Sequence, residues 1–128
     1  MVSTPETSHL KLISTENSRN DWSSLPYRKF VGALMFLTSV LRPEIAFEVS
    51  RDAQFMSSYG KNHLIAVKRV IRYLKGRSSH GIKYTHGKSK LKAFADADYA
   101  ANLDSRKSVS GFVLTLAGGP ITWASREQ

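Results

Sequence analysis

Apolar residues recur at three- and four-residue spacing from Tyr27 to Leu41, at Phe30, Val31, Leu34, Met35, Leu37 and Leu41. That period predicts a well-buried helix. Pro43 disfavours the α conformation at Arg42 and so ends it. As the first residue of a second helix, Pro43 loses nothing by its missing N–H. Ile45, Val49, Ala53 and Met56 form the apolar stripe of that second helix, and Ser57, Ser58 and Gly60 end it. A third helix, about Asn62 to Lys75, carries the clearest pattern in the chain. At 100° per residue Leu64, Val67, Val70, Ile71 and Leu74 share an arc roughly 120° wide. Lys61, Lys68, Arg69, Arg72 and Lys75 share a separate arc of similar width, and Gly76 stands where a C-terminal cap is expected.

After Gly76 the period changes. Gly81–Thr85 and Leu91–Asp96 have the composition of short strands, separated by the turn-like His86-Gly87-Lys88-Ser89. Ser110–Leu116 alternates Phe112, Leu114 and Leu116, and Ala117-Gly118-Gly119-Pro120 reads as a hairpin turn into Ile121–Ser125. The order is α+β: N-terminal helices, then a small antiparallel β-meander, with a boundary at 76–80. Residues 1–24 are polar and aperiodic, a flexible lead-in; residues 25–76 form the helical segment and residues 77–128 the strand segment. A small meander needs helices over its apolar face. Phe112, Leu114 and Trp123 are therefore expected to be partly exposed unless the N-terminal helices cover them.

Composition narrows the class. At 128 residues and 41% hydrophobic, the chain is too apolar to be wholly disordered. It has no cysteine, which removes disulfides, thiol nucleophiles and Cys-ligated metals. The longest apolar stretch, Phe30–Leu41, is about half of the ~20 residues that span a bilayer. Met1–His9 has neither the charge nor the apolar run of a secretory signal. A soluble, intracellular protein without membrane contact is expected, its oligomeric state left open. The formal net charge of +9 is concentrated: residues 59–92 hold ten Lys or Arg and no acid. Such a block attracts polyanions, and phosphate contacts are the usual source of sequence-independent nucleic-acid affinity. A solvated helix face followed by a basic linker is the plainer alternative.

Candidate chemistry is sparse. Asp96, Asp98 and Asp104 lie close enough in sequence to hold a divalent cation. An EF-hand loop from Asp96 fails, since Ala100, Ala101 and Lys107 occupy positions needing Asp or Asn, Gly and Glu. Gly87-Lys88-Ser89 is not a P-loop, because Ile82 stands where its leading glycine belongs. His9, His63, His80 and His86 show no zinc spacing, and no Gly-x-Ser-x-Gly elbow occurs. His63 reads as a local packing or hydrogen-bonding residue. Trp22 and Trp123 read as packing residues.

Six blocks taken together resemble a known family. Tyr27-Arg28-Lys29-Phe30-Val31-Gly32-Ala33-Leu34-Met35-Phe36-Leu37, Arg42-Pro43-Glu44-Ile45-Ala46 and Ala66-Val67-Lys68-Arg69-Val70-Ile71-Arg72-Tyr73-Leu74-Lys75-Gly76 are similar to a copia-type retrotransposon Pol polyprotein. Phe94-Ala95-Asp96-Ala97-Asp98-Tyr99-Ala100, Ser108-Val109-Ser110-Gly111-Phe112 and Ile121-Thr122-Trp123-Ala124-Ser125 continue the resemblance, which covers about residues 25–128 in the family's order. The family more often has Asp at position 44 and Gly at position 101, where Glu44 and Ala101 stand.

The resemblance implies that the helices are the thumb and connection end of a reverse transcriptase. It implies that the meander is the opening of a ribonuclease H domain, here incomplete. Asp96 matches the first of the acids that hold two Mg²⁺ ions in the complete parent enzyme; Asp98 and Asp104 match none of them. The partner Glu belongs to a helix after the third strand, and the polymerase's Tyr-x-Asp-Asp motif does not occur. The expectation is therefore a Pol fragment inactive alone, with Asp96 an idle catalytic and metal position and no tightly bound metal. It would bind RNA–DNA hybrid or duplex weakly and non-specifically through Lys61, Lys68, Arg69, Arg72 and Lys75. The alternatives are a non-catalytic nucleic-acid-binding module and a structural remnant without selected activity.

Overall fold

The computed structural model describes residues 2–5, 12, 25–87, 90–98 and 107–128. Three helices precede a three-stranded sheet: α1 (Tyr27–Val40), a 3₁₀ turn (Pro43–Ile45) running into α2 (Ala46–Gln54), and α3 (Lys61–Gly76). The strands are β1 (Lys92–Asp98), β2 (Val109–Leu116) and β3 (Gly119–Glu127), all antiparallel in the order β1-β2-β3. The α+β reading holds.

The helical core forms where three apolar stripes meet. Tyr27, Val31 and Leu34 from α1, Ile45 and Val49 from the second element, and Leu64, Val67, Val70 and Tyr73 from α3 are all buried together. Tyr27 stacks on Tyr59 at 4.6 Å between ring centroids, closing one end of this core. Leu12, Phe55 and Ala66 make a smaller cluster beside it. The stripes differ from expectation at their margins. Met35 and Leu41 are exposed rather than buried, as are Phe36 and Val40, so α1 is apolar on a face that nothing among the described residues covers. Ile71 of α3 is also exposed, and Ala66 and Tyr73 take the buried positions instead. Gly76 is the last helical residue and not a left-handed cap; Arg77 follows it and donates its N–H to the Leu74 carbonyl at 3.0 Å.

The β2–β3 hairpin turns through Ala117 and Gly118, whose φ values of 54° and 82° give both central positions the left-handed twist of a tight hairpin. Gly119 must be glycine, because a Cβ there would come within 2.9 Å of the Tyr84 ring and 3.0 Å of the Lys83 carbonyl. Pro120 sits on the edge strand, where no ladder N–H is needed. Pairing then skips from Thr115–Pro120 to Leu114–Thr122, leaving Ile121 as an extra, bulged residue. Gly81–Thr85 is not a strand. It crosses the hairpin end instead of running along an open edge. It is tied there by the Thr85 N–H on the Ala117 carbonyl and the Tyr84 hydroxyl on the Pro120 carbonyl, at 2.6 and 2.7 Å. Lys88 and Ser89 of the expected turn lie outside the described residues.

Register fixes the two faces of the sheet. Phe94, Val113 and Trp123 share one face with Asp96, Gly111 and Ser125; Ala95, Phe112 and Ala124 share the other with Leu114. The helices meet the first face. Trp123 donates its indole N–H to the Thr38 carbonyl at 2.6 Å, and Val109 is buried. The helices thus cover the Trp123 side, while Phe112 stays exposed on the far side.

Candidate functional site

Two features can carry chemistry, the outer face of α3 and the cleft between α2 and the sheet. The α3 face is set by how the helix starts and packs. Gly60 enters in extended conformation and gives its N–H to His63 Nδ1 at 2.9 Å, so the buried imidazole serves as the helix's first-turn acceptor. Its ring lies against Phe55 at 4.4 Å. His63 is a packing and hydrogen-bonding residue. With Leu64, Val67 and Val70 inward, Lys61, Lys68, Arg72 and Lys75 are exposed. Arg69, at the edge of the cationic arc, is half-buried and donates from Nη2 to the Thr4 hydroxyl at 3.2 Å.

Arg42 is buried and holds the far end of this helix. Its Nη1 donates to the Arg77 carbonyl at 3.0 Å and the His80 carbonyl at 3.2 Å, while Nε pairs with Glu44 at 2.7 Å. A guanidinium against carbonyls at a helix C-terminus is favourable for both hydrogen bonding and the helix dipole. Sequence reasoning used Arg42 as a motif letter only; its partners are backbone groups, which leave no trace in residue identity.

The cleft has a volume of about 460 Å³ and is lined by Pro43, Phe47, Phe94, Asp96, Trp123 and Ser125 among others. Asp96 is exposed, and its Oδ1 accepts the N–H of Ala97 at 2.9 Å. Glu44 also lines the cleft but is committed to Arg42. Among the described residues no group of three His, Asp or Glu comes together. Among the described residues, the donors around Asp96 are too few for a two-metal site. The side chain of Asp98 and all of Asp104 lie outside the described residues.

Two acids of α2, Glu48 and Asp52, are buried, against what their residue type suggests. Asp52 is 1% exposed, and among the described residues neither carboxylate oxygen has a hydrogen-bond partner. Burial, then the nearby Glu48 charge, push its pKa up to about 7, with Arg51 pulling the other way. The Tyr27 hydroxyl donates to the Asp52 backbone carbonyl at 2.8 Å and so does nothing for the carboxylate. Burial, and secondarily the Asp52 charge, raise the Tyr27 phenol as well.

Comparison with known proteins decides the affiliation. The chain is 37% identical over 132 residues to the retrovirus-related Pol polyprotein from transposon TNT 1-94 of Nicotiana tabacum, covering 99% of this chain and 10% of that protein. It is 41% identical over 103 residues to the Pol polyprotein from transposon RE1 of Arabidopsis thaliana, covering 80% of this chain and 7% of that one. The chain is homologous to a segment of the retrovirus-related Pol polyproteins of transposons. It spans a tenth or less of the length of these two relatives. A shorter relative, secreted RxLR effector protein 161 of Plasmopara viticola, is 41% identical over 106 residues, 82% of this chain and 75% of that protein. No protein-family model matches the chain, and no solved structure matches it.

Proposed function

We propose that this chain is the reverse transcriptase–ribonuclease H junction of a copia-type Pol polyprotein, and that it grips nucleic acid through α3 without cleaving it. The observation that supports binding is the exposed row of Lys61, Lys68, Arg72 and Lys75 on one rigid helix, within a 34-residue stretch holding no acid. A helix spaces such cations along its axis at 1.5 Å per residue, so several phosphates can be met at once. The affinity expected is weak, non-specific and intracellular in setting, with RNA–DNA hybrid or duplex as partner. Cleavage is not expected, because among the described residues no group of acids gathers around Asp96, and one carboxylate does not fix two Mg²⁺ ions.

The test is the salt dependence of hybrid binding. Replacing Lys68, Arg72 and Lys75 with Ala should flatten the log–log slope by roughly 2–3 units. An unchanged slope would show a solvated face. A second reading, a stand-alone binding module, is favoured by the short relative of which this chain covers 75%. Flanking coding sequence separates the two: a Tyr-x-Asp-Asp upstream and a Glu-bearing helix downstream belong to the junction reading only.

A further inference from the structure

Residues 2–4 lie against the C-terminal half of the basic helix. Val2 packs partly buried against the helical core, beside which Tyr73 sits near the end of α3. The Ser3 carbonyl accepts from Arg77 Nη1 at 3.0 Å, and the Thr4 hydroxyl accepts from Arg69 Nη2 at 3.2 Å. Further along, Leu12 is buried against Ala66 and Phe55, near the start of the same helix. Residues 2–4 thus meet the C-terminal half of α3 and the residue that follows it, and Leu12 meets its N-terminal half. Arg77 is held further by its guanidinium lying 4.6 Å over the Tyr73 ring. Two cations of the ten in the basic stretch are thus engaged by the chain's own neutral oxygens.

A hydroxyl or a carbonyl is a weaker partner for a guanidinium than an anionic oxygen, which adds a second charge to the bond and can accept from two guanidinium nitrogens at once. Val2 and Leu12 hold the neutral acceptors in place by burial, which a polyanion must undo. We infer that residues 2–5 are a strap that competes with phosphodiester oxygens for Arg69 and Arg77, lowering the affinity of the α3 face for nucleic acid. The inference rests on the reading of α3 as a nucleic-acid face. It adds that the face is partly self-occupied and that binding releases the strap.

The full chain is tested with an RNA–DNA hybrid of about 20 base pairs, in a salt series. Undocking the strap by Val2→Ser with Leu12→Ser should free two cations, raise affinity about three- to tenfold at low salt and steepen the log–log slope by about 2 units. Thr4→Val keeps the shape and removes the hydroxyl that accepts from Arg69; about one unit of slope is expected. This second variant decides the matter should the double variant lose helix content. Unchanged slope and affinity in Thr4→Val would overturn the strap while Lys68, Arg72 and Lys75 still set the slope. A slope insensitive to those three residues would overturn the α3 reading itself, and the strap with it.

Discussion

The helices and the sheet solve the same problem unequally. In the helical part nine residues from three elements bury one another, and Tyr27, Val31, Ile45 and Val67 reach zero exposure. In the sheet only Val109 among the large apolar residues is buried, while Phe94 is 59% exposed and Phe112 43%. The difference follows from geometry. Three helices can surround a shared axis, whereas a three-stranded sheet has two faces and here receives helical cover on only one, where the cleft beside Pro43 and Phe47 still leaves Phe94 open. A sheet that leans on a helical body through a few contacts is expected to open before that body does.

The largest effect should come from cutting the helical core. Leu64→Ala removes a buried side chain from the centre of the cluster and should cost about 2–5 kcal/mol. Phe112→Ala, on the uncovered sheet face, should cost less than about 1 kcal/mol despite the larger side chain. Denaturant unfolding of both variants gives the comparison directly. Equal losses would mean that the far face of the sheet is covered in solution.

Asp52 is the flaw in the better-packed half. Its folded pKa, about 7, lies above its ordinary value of 3.8, so the folded state binds the proton more tightly than the unfolded state. Stability linked to this group is therefore fullest below about pH 4, declines as pH rises to about 7, and is flat above. The full shift corresponds to roughly 4 kcal/mol at most, an order-of-magnitude figure. Asp52→Asn should flatten the stability profile across that window. Asp52→Leu should in addition raise the melting temperature at pH 7.5, since an apolar group needs no partner there. A wild-type profile that rises from pH 4 to 7 would show that the carboxylate finds a compensating charge.

The sequence pattern read the helices to within a residue or two at most ends, because burial stripes at 3.6-residue spacing leave a direct mark. The same rule contained the position of Asp52. Ile45, Glu48, Val49 and Asp52 follow the i, i+3, i+4, i+7 pattern of a single inward face, but acidic residue type argued for an outward one. Strand alternation gave two faces for the sheet without saying which the helices would choose. The choice depends on Trp123 reaching a carbonyl in α1, a long-range contact with no local signature. Gly81–Thr85 was misread because β-forming composition does not reveal whether an open strand edge lies alongside. The cation arc of α3 was legible; that Arg69 sits under Thr4 was not, since the partner is sixty-five residues away.

The smallest effect tests the joint between the two halves. Trp123→Phe keeps a ring on the helix-facing side of the sheet but removes the N–H that bonds the Thr38 carbonyl. Thr38 is itself tied into the α1 terminus, where its hydroxyl bonds the Arg42 carbonyl at 3.1 Å, so the indole grips a stiff part of the helical body. Loss of one such bond should cost about 0.5–1.5 kcal/mol. If the sheet opens as a separate unit, amide exchange in β2 and β3 should quicken about two- to tenfold while the Leu64–Val70 amides of α3 keep their rates. Equal acceleration in α3 would show instead that the sheet and the helices unfold together, and that the contrast in packing does not translate into a contrast in stability.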